Sequence, residues 1–388
     1  MPRLLPEGTP GGGRTETLKV AFLSTNTYPT PAPTYGGEIA AWDLVRSLCE
    51  LGHEVDLYAV PGSKTPPNGR LFFMRASYGS STPWFWESEQ EMLDLYGAEI
   101  RKADVVDDHS HTKRVAEILF NLERRTNIVN LLWGSAWSHP KPPFNVIVWS
   151  EAMRQMGLKG WTGYEGSPWA AQFANPRARS GSLKDAHVVQ GGVDTDFYCP
   201  GDEKEDYFLW FARFHPSKGY QVAIELAKRT GIPLVMAGLH PDDAVSPDHR
   251  EGALQAIELA KGVPNIRFEW LPTKDHHAAK RRVLQRARAL LYTVQYQECW
   301  GIVMAETLAC GTPIIGTNFG AVPELVTDGK TGFVCDSMEQ LAHAIEDIDL
   351  IRPEDCARDA RERFDRRVMA KAYVDEYKRV MNGEVWGL

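Results

Sequence analysis

Short apolar runs alternate with longer amphipathic stretches along the chain, and the whole alternation occurs twice. KVAFL, at residues 19–23, is too short for a helix and apolar enough for a buried strand. A loop rich in proline and glycine follows and ends at TYGGE. Beyond it Ile39, Leu44, Val45, Leu48 and Leu51 recur at helical spacing, Gly52 stops them, and HEVDLYAV returns to a strand pattern. Strand, loop, helix and strand in that order open an α/β domain with a parallel sheet. KADVVDDHSH ends a further strand, TKRVAEILFNLERR reads as a helix, and NIVNLLW and FNVIVWS read as strands. DAHVVQGGVDTDFY closes this half.

The second cycle starts near Asp206. YFLWFARF, IPLVMAG, NIRFEWL, LLYTV and TPIIGT are its predicted strands. YQVAIELAKRTG, HHAAKRRVLQRARA, IVMAETLACG, the short GAVPELVTDG and MEQLAHAIEDIDL are its predicted helices. Two α/β domains therefore meet near Pro200, and the amphipathic residues 366–388 form a tail helix able to pack on either. At 388 residues, 43% of them hydrophobic, the chain is long enough for two proper cores. A net charge of -8 argues against nonspecific nucleic-acid binding. The six cysteines lack paired spacing, so they read as reduced, small buried side chains and not as a disulfide or zinc framework. The start, MPRLLPEGTPGGGRTET, has no apolar stretch of signal-peptide length and reads as a loose tail. No apolar run reaches transmembrane length, so the expectation is a cytoplasmic protein, with peripheral membrane contact left open.

Ligands of open parallel sheets sit at the carboxyl ends of the strands, and several suggestive residues fall there. Gly36 and Gly37 lie between the first strand and its helix, where a backbone without Cβ atoms approaches a ligand closely. A plain helix-entry turn explains the pair equally well. Neither a dinucleotide fingerprint nor a Walker loop is present. Arg213 and Lys218 follow the strand YFLWFA and are placed to clamp a diphosphate, one as a planar fork and one as a point charge. In ECWGIVMAE, Glu298 falls in the loop after LLYTV, Gly301 allows a sharp entry to the helix, and Glu306 lies inside that helix. The Gly301 and Ile302 amides then face the same crevice as both carboxylates. Carboxylates accept from hydroxyls, and a sugar nucleotide carries hydroxyls at two places with a diphosphate between them. GTNFGAVPELVTDG continues in the same style with Gly316, Gly320 and Glu324.

ECWGIVMAETLACGTPIIGTNFGAVPELVTDGKTGFV closely resembles the donor-binding half of the retaining glycosyltransferases of family GT4. Glu298 and Glu306 match that family's two glutamates separated by seven residues. TYGGE resembles its amino-terminal glycine loop and FARFHPSKG its phosphate-contacting segment, with Arg213 and Lys218 in place. VIVWSEAMR and QGGVDTDFYCP match stretches before its interdomain linker. The resemblance runs over nearly the whole chain from Lys19 and is most specific in the second half. It implies a GT-B fold, in which two Rossmann-like domains face each other across a deep cleft and the last helix crosses back to the first domain. The implied division is a tail at 1–17, an acceptor-binding domain at 18–198, a donor-binding domain at 199–365 and the crossing helix at 366–388. The implied donor is a nucleoside-diphosphate sugar, with UDP-glucose the first expectation and GDP-mannose the second, and no metal or other cofactor is required. By the same resemblance Glu306 holds the ribose hydroxyls, Glu298 holds the transferred sugar, and Arg213 and Lys218 neutralise the leaving diphosphate. Gly37 approaches from the opposite wall. Transfer keeps the anomeric configuration by a front-face route.

One departure concerns histidine. Family members carry one after the strand read here as NIVNLLW, where this chain has Trp133, with His139 six residues later. DDHSH offers His109 and His111 after the strand ending at Val106, and His109 is the first expectation for a polar group near the donor sugar. A metal site at DDHSH lacks a third anchor at sensible spacing. His276 and His277 read as surface residues opening a helix. The first half is dense in tryptophan (Trp84, Trp86, Trp133, Trp137, Trp149, Trp161 and Trp169), several in loop-like stretches such as STPWFW. Trp133, Trp137 and His139 are the acceptor-side candidates, since aromatics with polar neighbours suit sugar faces, although core packing explains tryptophans too. Without a basic amphipathic helix in the first half, a small-molecule or saccharide acceptor is favoured over a membrane lipid. The competing readings are a GT-B sugar phosphorylase or epimerase-like enzyme, and a non-catalytic nucleotide-sugar-binding protein. The assembly is expected to be a monomer or homodimer.

Overall fold

The computed structural model describes residues 17–76, 82–132, 144–159, 183–243 and 247–387. Two parallel sheets organise them. The first has seven strands in the order β3-β2-β1-β4-β5-β6-β7: β1 (Lys19–Leu23), β2 (Glu54–Ala59), β3 (Leu71–Phe73), β4 (Val105–Asp108), β5 (Ile128–Leu131), β6 (Val146–Val148) and β7 (His187–Val188). The second has six in the order β10-β9-β8-β11-β12-β13: β8 (Phe208–Phe211), β9 (Leu234–Leu239), β10 (Ile266–Leu271), β11 (Ala289–Tyr292), β12 (Ile314–Thr317) and β13 (Gly332–Cys335). Central strands such as β4, β5, β11 and β12 are buried throughout, which is why they read as continuous apolar runs and not as alternating ones. In each sheet the strand order reverses between two neighbours, β1 and β4 in the first, β8 and β11 in the second. The loops leaving those strands diverge to opposite faces and leave a crevice at their carboxyl ends.

The first helix, Gly36–Glu50, buries Ala40, Ala41, Leu44, Val45 and Leu48 against the sheet. Its other neighbour is the last helix, Arg366–Met381, which returns to the first domain and buries Met369, Tyr373 and Tyr377 there. Polar contacts fix this docking. The Tyr377 hydroxyl donates to Asp107 Oδ2 at 2.6 Å, and Arg366 donates to Ser47 Oγ at 2.8 Å and to Glu50 at 2.6 Å. The GT-B architecture expected from the sequence, with its crossing helix, is therefore observed.

Several local readings need correction. Gly36 and Gly37 are the first residues of the helix and not a loop before it. From Thr82 onward STPWFW is not a loop, because Thr82–Ile100 is helical and Trp86 within it lies under the Arg114 guanidinium at 4.2 Å. His276 is buried and His277 half-buried, so neither is a surface residue. The helices Glu151–Lys159, Pro247–Ala260 and Pro353–Arg363 and strands β3, β7 and β13 had no clear signal. Each is short, charged or interrupted by glycine, and packing on its neighbours supplies what local propensity lacks.

Candidate functional site

A cavity of about 480 Å³ lies where the two crevices face each other. The second domain supplies its floor from the β8 and β11 exits. Arg213 and Lys218 come from the first exit, Glu298 and Gly301 from the second, and Ile302, Val303 and Glu306 from the helix Ile302–Ala309. Gly301 caps that helix at φ +81° with no side-chain hydrogen bond, so the amide-rich end of the helix is open to the cavity.

Glu298 is 6% exposed, and its Oε2 accepts from the Lys218 ammonium at 2.9 Å and from the Tyr292 hydroxyl. Burial alone would raise this carboxyl, but Lys218 and the Tyr292 and Tyr296 hydroxyls outweigh it and hold the group below its ordinary range. The Glu298 loop is braced from behind: Gly320 N donates to Gln297 Oε1 at 2.8 Å and Ala321 N to the Glu298 carbonyl at 2.8 Å. Glu306, one helical turn deeper, is 1% exposed, and its Oε1 accepts from the Lys280 ammonium at 2.6 Å. Each carboxylate on this wall therefore has its own lysine. Arg213 is exposed on the same wall.

The facing wall belongs to the first domain. Gly36 and Gly37 line it, and a Cβ built on Gly36 would stand 2.8 Å from Ile302 Cδ1 across the cleft. Thr25 donates to Glu38 Oε1 at 2.5 Å, and both residues line the cavity. His111 lines it as well, with Nε2 2.9 Å from Thr27 Oγ1 and its ring 4.5 Å from Phe85. His111 is exposed toward the cleft, and partial burial of its ring, then the Lys113 ammonium, push it below the ordinary histidine range, which favours the neutral ring at pH 7. Trp149 packs edge-on against Trp300 at 5.3 Å, and its Nε1 donates to the Tyr373 hydroxyl at 3.1 Å.

The structure thus brings Glu298, Glu306, Arg213, Lys218, Gly301, Ile302, Gly36 and Gly37 to one cavity. His109 is not among them. It is fully buried, 4.3 Å from the Phe22 ring, with Nε2 3.1 Å from Asp107 Oδ1. It belongs to the polar cluster under the last helix, and its neighbour His111 takes the cavity position. Trp133, Trp137, His139, Trp161 and Trp169 lie outside the described residues. Glu324 does not line the cavity. Its carboxylate accepts from Glu151 N at 2.9 Å and Ala152 N at 2.6 Å, capping a first-domain helix from the second domain. Lys280, Glu38, Thr25 and Trp300 were not expected. Lys280 hides in a run of basic residues, Thr25 carries no local signal, and Glu38 and Trp300 lie inside TYGGE and ECWGIVMAE beside the residues singled out there. Among the described residues no group of three or more His, Cys, Asp or Glu is placed to hold a metal ion.

His215, between Arg213 and Lys218, accepts from Ser217 N and so caps the turn Pro216–Lys218. Burial, then Arg213, lowers it to about 4. The unfolded chain takes up this proton near 6.5, so between pH 6.5 and 4 the folded form binds fewer protons. The contribution is complete above pH 6.5 and is lost as pH falls toward 4. His215→Asn keeps a capping oxygen and removes the titration. Its stability relative to the unchanged protein should be constant above pH 7 and improve below 6.5 by up to about 1.4 kcal/mol per pH unit. Denaturant titration at several pH values checks this, and a difference that stays constant down to pH 4.5 would refute it.

Residues 200–365 match the family model described as glycosyl transferases group 1. D-inositol 3-phosphate glycosyltransferase of Mycobacterium tuberculosis is 30% identical over 176 residues, which is 42% of this chain and 35% of that protein. The match thus spans about a third of the curated relative's length. Sucrose-phosphate synthase from Thermosynechococcus elongatus superposes with a TM-score of 0.68 at 15% identity, over 95% of this chain and 100% of that one. A glycosyltransferase involved in avilamycin A biosynthesis superposes at 0.65 and 21% identity, with the same coverage. Anabaena HepE, solved in complex with UDP, superposes at 0.63 and 16% identity over 93% and 100% of the two chains. These likenesses show a shared GT-B fold, and the family match shows that the second domain is similar to the group 1 glycosyl transferases.

Proposed function

We propose that the protein is a retaining glycosyltransferase of the GT4 type, moving a hexose from a nucleoside-diphosphate sugar to a hydroxyl of a small-molecule or saccharide acceptor. The observation that carries this reading is the pairing on one cavity wall of two buried glutamates, each held by a lysine, with Arg213 exposed beside them. Residues 199–365 are the donor-binding domain and residues 18–198 the acceptor-binding domain in this proposal. UDP-glucose is the first donor to test and GDP-mannose the second.

Glu306 takes the ribose and Glu298 the hydroxyls of the transferred sugar. Arg213, Lys218 and the open helix end face the diphosphate. The acceptor oxygen bonds the anomeric carbon on the face that the phosphate leaves. The bond from that carbon to the phosphate oxygen breaks, and the acceptor's proton passes to the departing phosphate. Arg213 and Lys218 are already in place to stabilise the charge that develops there. His111, neutral and facing the cavity, replaces His109 as the polar group next to the sugar. Thr25, Glu38 and Trp149 offer the acceptor two hydrogen-bonding groups and an aromatic face.

A thermal-shift panel of nucleoside diphosphates and nucleotide sugars, run with Glu306→Ala beside the unchanged protein, tests this. A ligand binding only the folded form at 100 times its Kd stabilises it by about 2.7 kcal/mol. One nucleotide sugar should raise the melting temperature, and the substitution should remove most of that rise. No stabilisation by any of them at millimolar concentration would sink the donor-site reading.

A further inference from the structure

Glu306 is an unusual carboxylate. Its side chain is 1% exposed, its Oε1 is engaged by the Lys280 ammonium at 2.6 Å, and the Tyr198 hydroxyl also interacts with the carboxylate. Oε2 is buried and accepts no hydrogen bond among the described residues. A buried acceptor without a donor is costly, and the residue that carries it lines a cavity able to admit a ligand. Lys280 is buried too, at 8% exposure, and comes from a different helix, His276–Arg286. Its ammonium rests near two aromatic faces, 5.4 Å from the Tyr198 centroid and 5.9 Å from that of Phe211. Rings on two sides and a short ion pair leave the ammonium little freedom, and through it the carboxylate has little as well.

We propose that Lys280 is a positioning residue that makes this site selective for ribonucleotides. By engaging Oε1 it fixes the carboxylate plane so that the remaining lone pairs meet a vicinal diol, as the 2′- and 3′-hydroxyls of ribose provide. A 2′-deoxyribose supplies one donor fewer and leaves an acceptor unmet. The inference rests on the nucleotide-sugar reading above and adds to it the source of sugar-ring selectivity.

The test measures by calorimetry the affinities for UDP, GDP and ADP and for their 2′-deoxy counterparts, with the unchanged protein, Lys280→Met and Lys280→Gln. The unchanged protein should prefer the ribo form of its best ligand by about tenfold or more, the size expected for one charge-assisted hydrogen bond. In Lys280→Met that ratio should shrink to within about threefold, through weaker ribo binding and not through tighter deoxy binding. Lys280→Gln keeps a donor without the charge, should give a lower ratio than the unchanged protein, and serves if the methionine variant does not fold. A mere packing role would weaken both ligand series equally and leave the ratio intact, and that result overturns the proposal. A protein that binds these nucleotides without ribo preference overturns it too while sparing the donor-site reading. Binding of none of them overturns both.

Discussion

Replacing Glu298 with glutamine should lower kcat/KM for sugar transfer at least about 100-fold, or about 2.7 kcal/mol, and change nucleoside-diphosphate affinity by less than about threefold. The argument starts from what surrounds the carboxylate. Lys218, the Tyr292 hydroxyl and the Cys299 amide all donate toward it. A carboxylate accepts from all of them, whereas an amide offers one oxygen and turns an NH₂ group toward other donors. The glutamine therefore loses charge-assisted bonds and sets donor against donor, while the turn carrying Lys218 stays tied to Thr293 and Gln295 and keeps its place at the diphosphate. A group that holds the transferred sugar influences transfer and leaves the free diphosphate product alone. Steady-state kinetics with a nucleotide sugar, beside calorimetry with the matching diphosphate, separate the two effects. An equal loss in both would assign Glu298 to the nucleotide and remove it from the sugar.

The same residues show what a sequence reveals and where it stops. Glu298, Gly301 and Glu306 were legible because their relation is local: one strand exit, one turn and one helix place them. Arg213 and Lys218 were legible for the same reason. Lys280 was not, because it meets Glu306 across 26 residues and its neighbours Arg281 and Arg282 carry the same charge. Only the packing of two helices decides which of the three goes inward. His109 and His111 pose a related problem. Strand periodicity puts alternate residues on opposite faces, but β4 ends at Asp108, and past that point parity no longer governs. His109 N still bonds the Leu23 carbonyl at 2.8 Å and its ring stays buried, whereas His111 turns into the cleft. The contact that keeps His109 inside runs through Asp107 to Tyr377, far along the chain, and no local pattern records it. Glu324 reads as one more acidic residue at a strand end until the opposite domain's helix is seen resting on it.

The second large effect is expected at Gly219. This residue has φ +74°, and a Cβ placed on it would stand 1.6 Å from the Thr293 carbonyl oxygen and 2.6 Å from its carbon. Both obstacles are backbone, so no side chain can swing aside. The approach is tied from both sides: Thr293 Oγ1 donates to the Gly219 carbonyl at 2.8 Å, and Gln295 N donates to the Ser217 carbonyl at 2.7 Å. These bonds lock the turn carrying Lys218 onto the strand exit carrying Glu298, and so they set the 2.9 Å spacing of that pair. Gly219→Ala should destabilise the protein by more than about 3 kcal/mol, combining left-handed backbone strain of about 1–2 kcal/mol with displacement of a buried loop. Gly262 supplies the comparison, since it has φ +76° with nothing within 4 Å of its Cβ position. Gly262→Ala incurs the strain alone and should cost about 1–2 kcal/mol, with nucleotide affinity unchanged. Gly219→Ala should lose nucleotide affinity by more than about tenfold at a temperature where it is still folded, because Lys218 moves with its turn. Denaturant titration and calorimetry on both variants measure the difference. Equal destabilisation in the two would mean that the loops separate at little cost, and the spacing of Lys218 and Glu298 would then have to be set by something other than their interlock.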